Sequence, residues 1–297
     1  MSSDTFSTYN PLINFVFYVG AIVFGMFFVH PAFLACSVTL ALAYYTTVKG
    51  RGVLKLLAGL IPVFLVMSLL NPVFNTRGEM ILFTYFGGRP YTLEALFYGM
   101  ALAAMFVCII SWFASYNAVM TSDKFLYLFG RLIPSISLIL TMVLRLVPGF
   151  QRKALQITAA RKCVGKAGRS GTRREMAENG LTVVSALTSW ALEGGIITAD
   201  SMRSRGYGTG GRSTFSIYRF APRDMLLLAG MLLLLSIVFF CWMKGAATAT
   251  YTPRLNISEV GDPYSALGLC AYFLFLVIPT VLNILEAVTW RILRSRI

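Results

Sequence analysis

Residues 11–48 read PLINFVFYVGAIVFGMFFVHPAFLACSVTLALAYYTTV. The run has no acid, lysine or arginine, and His30 is its one residue able to carry charge. A membrane-crossing helix needs about 20 apolar residues, and this run is nearly twice that long. His30-Pro31 stands at its middle, and proline disfavours helix in the residue before it. The run therefore reads as a tight hairpin of two membrane helices. Four further stretches are long and uncharged enough to cross a bilayer unaided: Leu56 to Thr76, Ala95 to Ser122, Met225 to Met243 and Tyr264 to Leu285. The expectation is an all-α integral membrane protein with six transmembrane helices, near residues 11–29, 31–48, 56–73, 92–115, 225–243 and 264–290. Composition agrees: 57% of residues are hydrophobic and 13% charged, where a soluble domain carries roughly 25% charge.

Positive charge orients these spans, because Lys and Arg concentrate on cytoplasmic loops. Lys49, Arg51 and Lys55 follow the second helix, and Arg291, Arg294 and Arg296 follow the last. Between Trp112 and Met225 lie sixteen Lys and Arg against six Asp and Glu. With six spans all three regions fall on one side, together with the N-terminus. The N- and C-termini are therefore expected in the cytoplasm. Positive-inside bias and the anionic inner leaflet account for much of the net charge of +14, so no nucleic-acid partner is implied. The first helix is too long, and lacks a preceding Lys or Arg, for a secretory signal.

Several chemistries find no support. Four of the five cysteines, Cys36, Cys108, Cys241 and Cys270, lie in apolar spans, Cys163 does not, and none forms a C-x-x-C pair. His30 is the only histidine and reads as a hairpin-tip residue; no metal site, cofactor or catalytic triad is expected. Gly165-Lys166 and Gly168-Arg169-Ser170-Gly171-Thr172 look phosphate-friendly, yet the G-x-x-x-x-G-K-[ST] spacing fails. The chain is read as no enzyme, with any ATP hydrolysed elsewhere. Glu94 and Glu286 fall at helix ends, and a proton- or sodium-coupled carrier usually keeps an acid in mid-membrane. A secondary transporter or channel-like protein is the alternative, and it predicts a buried polar constellation.

The chain thus divides into 1–115, a four-helix membrane region; 116–224, a long helical cytoplasmic module; and 225–297, a two-helix membrane region. Within the module, apolar Leu132–Val147 and Leu181–Ala199 alternate with basic Arg152–Arg174 and Arg203–Arg223. Two apolar and two basic helices are expected, lying along or dipping into the interface; full spanning by both apolar ones would leave the rest of the topology unchanged. Gly194 and Thr198, and Gly195 and Ala199, are small pairs four apart, either ordinary tight packing or the crossing point of two long helices. Ala199-Asp200-Ser201-Met202-Arg203-Ser204-Arg205-Gly206-Tyr207-Gly208 reads as a helix ended by glycine, with an arginine fork held ready for a partner. Gln156 to Gly165 echoes it, with Ala160-Arg161 in place of Ser204-Arg205. Two such ends suit a partner with two similar pockets.

The chain resembles the transmembrane T component of energy-coupling-factor transporters, the EcfT/CbiQ family. That family carries paired Ala-Arg-Gly motifs, the second commonly reading like Ala-Met-x-Ala-Arg-Gly-Tyr; Ser201-Met202-Arg203-Ser204-Arg205-Gly206-Tyr207 is similar. Leu144-Arg145-Leu146-Val147-Pro148 resembles the family's Leu-Arg-Phe-x-Pro stretch, and Ala160-Arg161-Lys162 stands for the first motif with lysine in place of glycine. The resemblance covers the middle and C-terminal parts, and the N-terminal helices by general pattern. It implies a coupling subunit that joins two cytoplasmic ABC-type ATPases to a small membrane subunit binding a vitamin or transition-metal ion. It implies ATPase contact through Ala160, Arg161, Met202, Arg205 and Gly206, with Arg145, Pro148, Gly194, Gly195 and Ala199 structural in the module.

Overall fold

The structure, a computed structural model, describes residues 4–76, 78–85, 89–165, 173–209, 218, 220–251, 255–259 and 261–295. Of the described residues 82% are helical, which settles the all-α class. The elements in order are α1 (Thr5–Thr8), α2 (Pro11–Phe27), α3 (Pro31–Lys49), α4 (Gly52–Phe74), β1 (Ile81–Tyr85), β2 (Arg89–Thr92), α5 (Leu93–Val119), α6 (Ser122–Leu132), α7 (Pro134–Cys163), α8 (Arg173–Ser204), α9 (Pro222–Met243), β3 (Ala249–Thr250), β4 (Asn256–Ile257) and α10 (Pro263–Ser295). The strands pair as two antiparallel ribbons, β1 with β2 and β3 with β4.

The expected break at His30-Pro31 is where α2 gives way to α3. Each of these helices starts on proline at its first position, where the missing N–H is no loss. Asn10 Oδ1 caps α2 by accepting from Leu12 N at 3.0 Å. His30 does the same for α3: its Nδ1 accepts from Ala32 N at 3.2 Å. Its Nε2 lies 3.0 Å from the Ser258 carbonyl, so Nε2 carries the proton and donates. His30 is 2% exposed and ties the α2–α3 turn to the residues just after β4.

Six helices among the described residues are long and apolar enough to cross a membrane: α3, α4, α5, α8, α9 and α10. The protein is therefore a multi-pass membrane protein. This set differs from the expected six in one member. Helix α2 has 17 residues, about 26 Å of rise, at the lower edge of a spanning length. Helix α8 has the length and a mean hydropathy of 1.3, but Glu193 interrupts its apolar half.

The module also differs from the expected alternation of four helices. Leu132–Val147 and much of Arg152–Arg174 fall on one helix, α7 with 30 residues, and Leu181–Ala199 falls on α8 with 32; the expected basic helix Arg203–Arg223 lies largely outside the described residues. The switch from apolar to basic is a change of character along one continuous helix. Pro148 lies inside α7 and does not end it; it removes one backbone donor, and the turn continues around it.

The chain divides into two compact units, one of Met1–Phe125 with Tyr218–Ile297, the other of Leu126–Ile217. In the first, α5 packs against α2, α3 and α4, and α10 against α3 and α9. The core is aromatic: Trp112, Phe17, Tyr18, Tyr44, Phe275 and Tyr272 are at most 1% exposed. Phe17 meets Trp112 edge-on at 5.4 Å, the arrangement the ring quadrupole favours. In the second unit α7 pairs with α8, which buries no residue at all.

Candidate functional site

The C-terminal end of α8 is built from the residues singled out in the sequence. Gly206 adopts φ +76°, a left-handed conformation that only glycine takes at no cost. Its N–H donates to the Arg203 carbonyl at 3.0 Å, and the Tyr207 N–H donates to the Met202 carbonyl at 3.1 Å. Those two bonds define a Schellman motif, with Gly206 as the turning residue and Met202 and Tyr207 at the two positions whose side chains usually meet. The spacing Met-x-x-Arg-Gly-Tyr is thus a helix terminator first. Arg205 is the last residue before the turn and is exposed. Met202 is half-buried while Ser201, Arg203 and Ser204 are exposed.

The end of α7 is related but not equivalent. Gly165 takes φ +75° and donates to the Lys162 carbonyl at 3.0 Å. Lys162, where the resembling motif has glycine, remains helical, and α7 runs on to Cys163. Lysine strongly disfavours the left-handed turn, so the helix ends only at the next glycine. Arg161 therefore stands four residues before its glycine, whereas Arg205 stands one before its own. Arg161 is also engaged: its Nη2 donates to Asn179 Oδ1 of α8 at 2.5 Å. The lysine at 162 already set Arg161 apart from Arg205 in the sequence, and their surroundings differ as well.

Two contacts fix how α7 and α8 run. Phe150 meets Trp190 edge-on at 5.7 Å, with Lys153 Nζ 5.9 Å over the same ring. Arg161 meets Asn179 eleven residues further along α7 and eleven earlier along α8. The helices are antiparallel. Arg161 lies level with the start of α8, and Arg205 lies 26 residues beyond that level, about 39 Å along the helix. The two arginine-bearing ends point to two separate places.

Gly194 and Gly195 are not the crossing point of the pair. A Cβ added at either meets nothing within 4 Å, and Ala199 is exposed. The close approach lies at Gly149, where an added Cβ would stand 3.6 Å from the Trp190 ring. An added Cβ there would make an ordinary van der Waals contact with the ring, and four-residue spacing alone does not reveal where the two helices meet. Arg145, Pro148 and Ala160 are exposed on α7. An open groove of about 480 Å³ between the helices is lined by Phe150, Val184, Leu187, Thr188, Ala191 and Leu192.

Among the described residues no group of three or more His, Cys, Asp or Glu is placed to hold a metal ion. The glycine-rich run 168–172 and Lys166 lie outside the described residues. The sequence model of a family described as cobalt transport protein, CbiQ, matches residues 5–217. The match takes in the N-terminal helices and stops where the second unit ends, leaving α9 and α10 outside it; the expected weight on the C-terminal part is corrected accordingly. No curated protein sequence matches the chain.

Proposed function

The chain belongs to the cobalt transport protein family, CbiQ, and from that premise we propose that it is the transmembrane coupling subunit of an energy-coupling-factor importer. It is a membrane component of a transporter, of a family that takes part in ABC-type transporter complexes. In the proposed complex two cytoplasmic ATPases hydrolyse ATP, and a small membrane subunit captures a vitamin or transition-metal ion. The α7–α8 pair carries movement between them. Its arginine-bearing ends, on the cytoplasmic side, seat in one ATPase each.

The observation that carries this reading is the exposed Arg205 on a rigidly capped helix end, about 39 Å from the level of Arg161. A separation of that size suits two soluble partners side by side. The cap matters because it removes freedom that docking would otherwise have to remove. The guanidinium offers a planar fork to a carboxylate or to backbone carbonyls. Glu193, inside the apolar half of α8, would cost about 2.5 kcal/mol or more at a bilayer centre, which favours an interfacial α8 over a spanning one.

Copurification tests the reading. The tagged chain, coexpressed with the two ATPases, should recover both. Arg205→Ala should weaken recovery about thirtyfold or more if it strands a buried carboxylate, while membrane level stays normal. Arg205→Lys should restore recovery in part, since it keeps the charge and loses the fork. Arg161→Ala should have a smaller effect, because Asn179 already occupies part of that guanidinium. Undiminished recovery of both ATPases by Arg205→Ala, with transport intact, would overturn the assignment.

A further inference from the structure

Residues Asp4-Thr5-Phe6-Ser7-Thr8-Tyr9-Asn10 lie before the first long helix, yet they are among the most firmly held in the protein. Phe6 is 0% exposed and packs edge-on against Phe17 at 5.3 Å and Tyr44 at 6.3 Å. Its backbone N–H donates to Asn283 Oδ1 of α10 at 3.2 Å. The Tyr44 hydroxyl donates to Asp4 Oδ2 at 2.9 Å. Two hydrogen bonds and one buried ring anchor this segment to α2, α3 and α10.

The same segment meets two further parts of the first unit, the end of α5 with the start of α6 and the start of α9. On the way out, at Phe125–Leu126, Lys124 is 4% exposed, a rare state for lysine. Its ammonium donates to the Ser7 carbonyl at 2.6 Å, the Ser7 hydroxyl at 2.7 Å and the Val119 carbonyl at 2.9 Å. All three ammonium donors are used. The two carbonyls belong to the last turns of α1 and α5, where the helix dipole favours a cation. Burial still pushes the ammonium down to about 8, with Asp4 pulling the other way. On the way back, Arg223 lies over the ring of Tyr9, with its guanidinium carbon 5.2 Å from the centroid. Its neighbour Asp224 is 3% exposed and accepts from Ala221 N at 3.1 Å, fixing the start of α9.

A buried ammonium is tolerated where its donors are met, and here Ser7 and Val119 meet all three. We infer that residues 4–10 form a clasp within the first unit that fixes residues 119–125 and 220–225, the segments through which the chain leaves for and returns from the α7–α8 helices, through Lys124 on Ser7 and Arg223 on Tyr9. Lys124 and Arg223 act as positioning residues, through Ser7 and Tyr9. Opening the clasp leaves the coupling ends intact and lets the unit move without moving the membrane helices. That functional half rests on the coupling reading above; the pinning itself does not.

Hydrogen exchange on the full-length protein in detergent separates the two. Lys124→Met should raise exchange in residues 119–125 about tenfold or more, the worth of a lost hydrogen bond to a charged group. Tyr9→Leu should raise exchange at 220–225 about two- to fivefold, as expected for an exposed cation–π pair. Tyr9→Phe keeps the ring and should behave as wild type. Exchange in α2, α3 and α5 up to Trp112 should not change. In the assembled transporter the Tyr9→Leu/Lys124→Met variant should keep ATPase copurification and ATP hydrolysis while uptake of radiolabelled Co²⁺ falls. Unchanged exchange at both segments overturns the clasp, whatever the ATPases do. Raised exchange with uptake per ATP at the wild-type level overturns its role in coupling. Failure of the wild-type chain to recover ATPases would sink the coupling reading and leave the exchange result to decide the pinning.

Discussion

At the scale of the residue, the side chain most exposed to a partner and the backbone that holds it are one design. Arg205 can be presented at a fixed angle only because Gly206 turns the chain at φ +76°. Any residue with a Cβ pays about 1–2 kcal/mol in that conformation, and Asn least among them. Gly206→Val should therefore lower ATPase recovery about tenfold, with Arg205 itself untouched. Gly206→Asn should keep most of it. A pull-down titrated against ATPase concentration reads the difference, and equal recovery by the two variants would mean the cap is irrelevant to docking. This end was legible in the sequence because capping is local: Met202, Arg205, Gly206 and Tyr207 lie within six residues. The partner of Arg161 was not legible, because Asn179 is eighteen residues away on another helix. His30 shows the same divide. The turn at His30-Pro31 could be read directly; the bond from His30 to Ser258, across 228 residues, could not.

At the scale of the element, helices that face lipid can still be tightly specified where they meet each other. Helix α4 buries little beyond Leu60, Ser68 and Pro72. It nonetheless lies hard against α5 at Gly99, where an added Cβ would come within 2.7 Å of the Ser68 carbonyl oxygen and of Asn71 Cβ. Backbone cannot step aside as a side chain can, so Gly99→Ala should destabilise by about 1–3 kcal/mol through overpacking. Gly59 on the same helix pair has nothing within 4 Å of an added Cβ, and Gly59→Ala should be neutral or gain about 0.5–1 kcal/mol from helix propensity. Thermal unfolding in detergent should show a lower midpoint for the first variant only. A lowered midpoint in both would mean that position, rather than the close approach, governs the loss. Helix number and type in residues 1–115 and 225–297 were readable because uncharged runs of the right length have one use in a chain this apolar. Leu132–Val147 and Arg152–Arg174 were misread as two helices because an apolar and a basic stretch were taken for separate elements, when α7 changes character along its own length.

At the scale of the whole molecule, the charge distribution makes a topology that can be tested. With the N-terminus, the 116–224 segment and the C-terminus proposed as cytoplasmic, membrane-impermeant thiol reagents applied from outside should label Thr76→Cys and Thr252→Cys and leave Ser213→Cys unlabelled. Positions 213 and 252 lie outside the described residues, so their accessibility is argued from charge alone. Strong external labelling at 213 would defeat the topology. The sequence by itself determined that this is an all-α membrane protein, where most of its helices lie, and that a basic segment ends a helix in Arg205-Gly206. Hydrophobic length, positive-inside bias and helix capping act over at most a few turns of chain, so linear order carries them in full. The tertiary structure alone decided which arginine is engaged, where α7 and α8 touch, and that Lys124 meets Ser7 and Arg223 meets Tyr9. Each of those depends on side chains brought together from distant positions, where packing space and hydrogen-bond geometry, rather than residue type, select the partner.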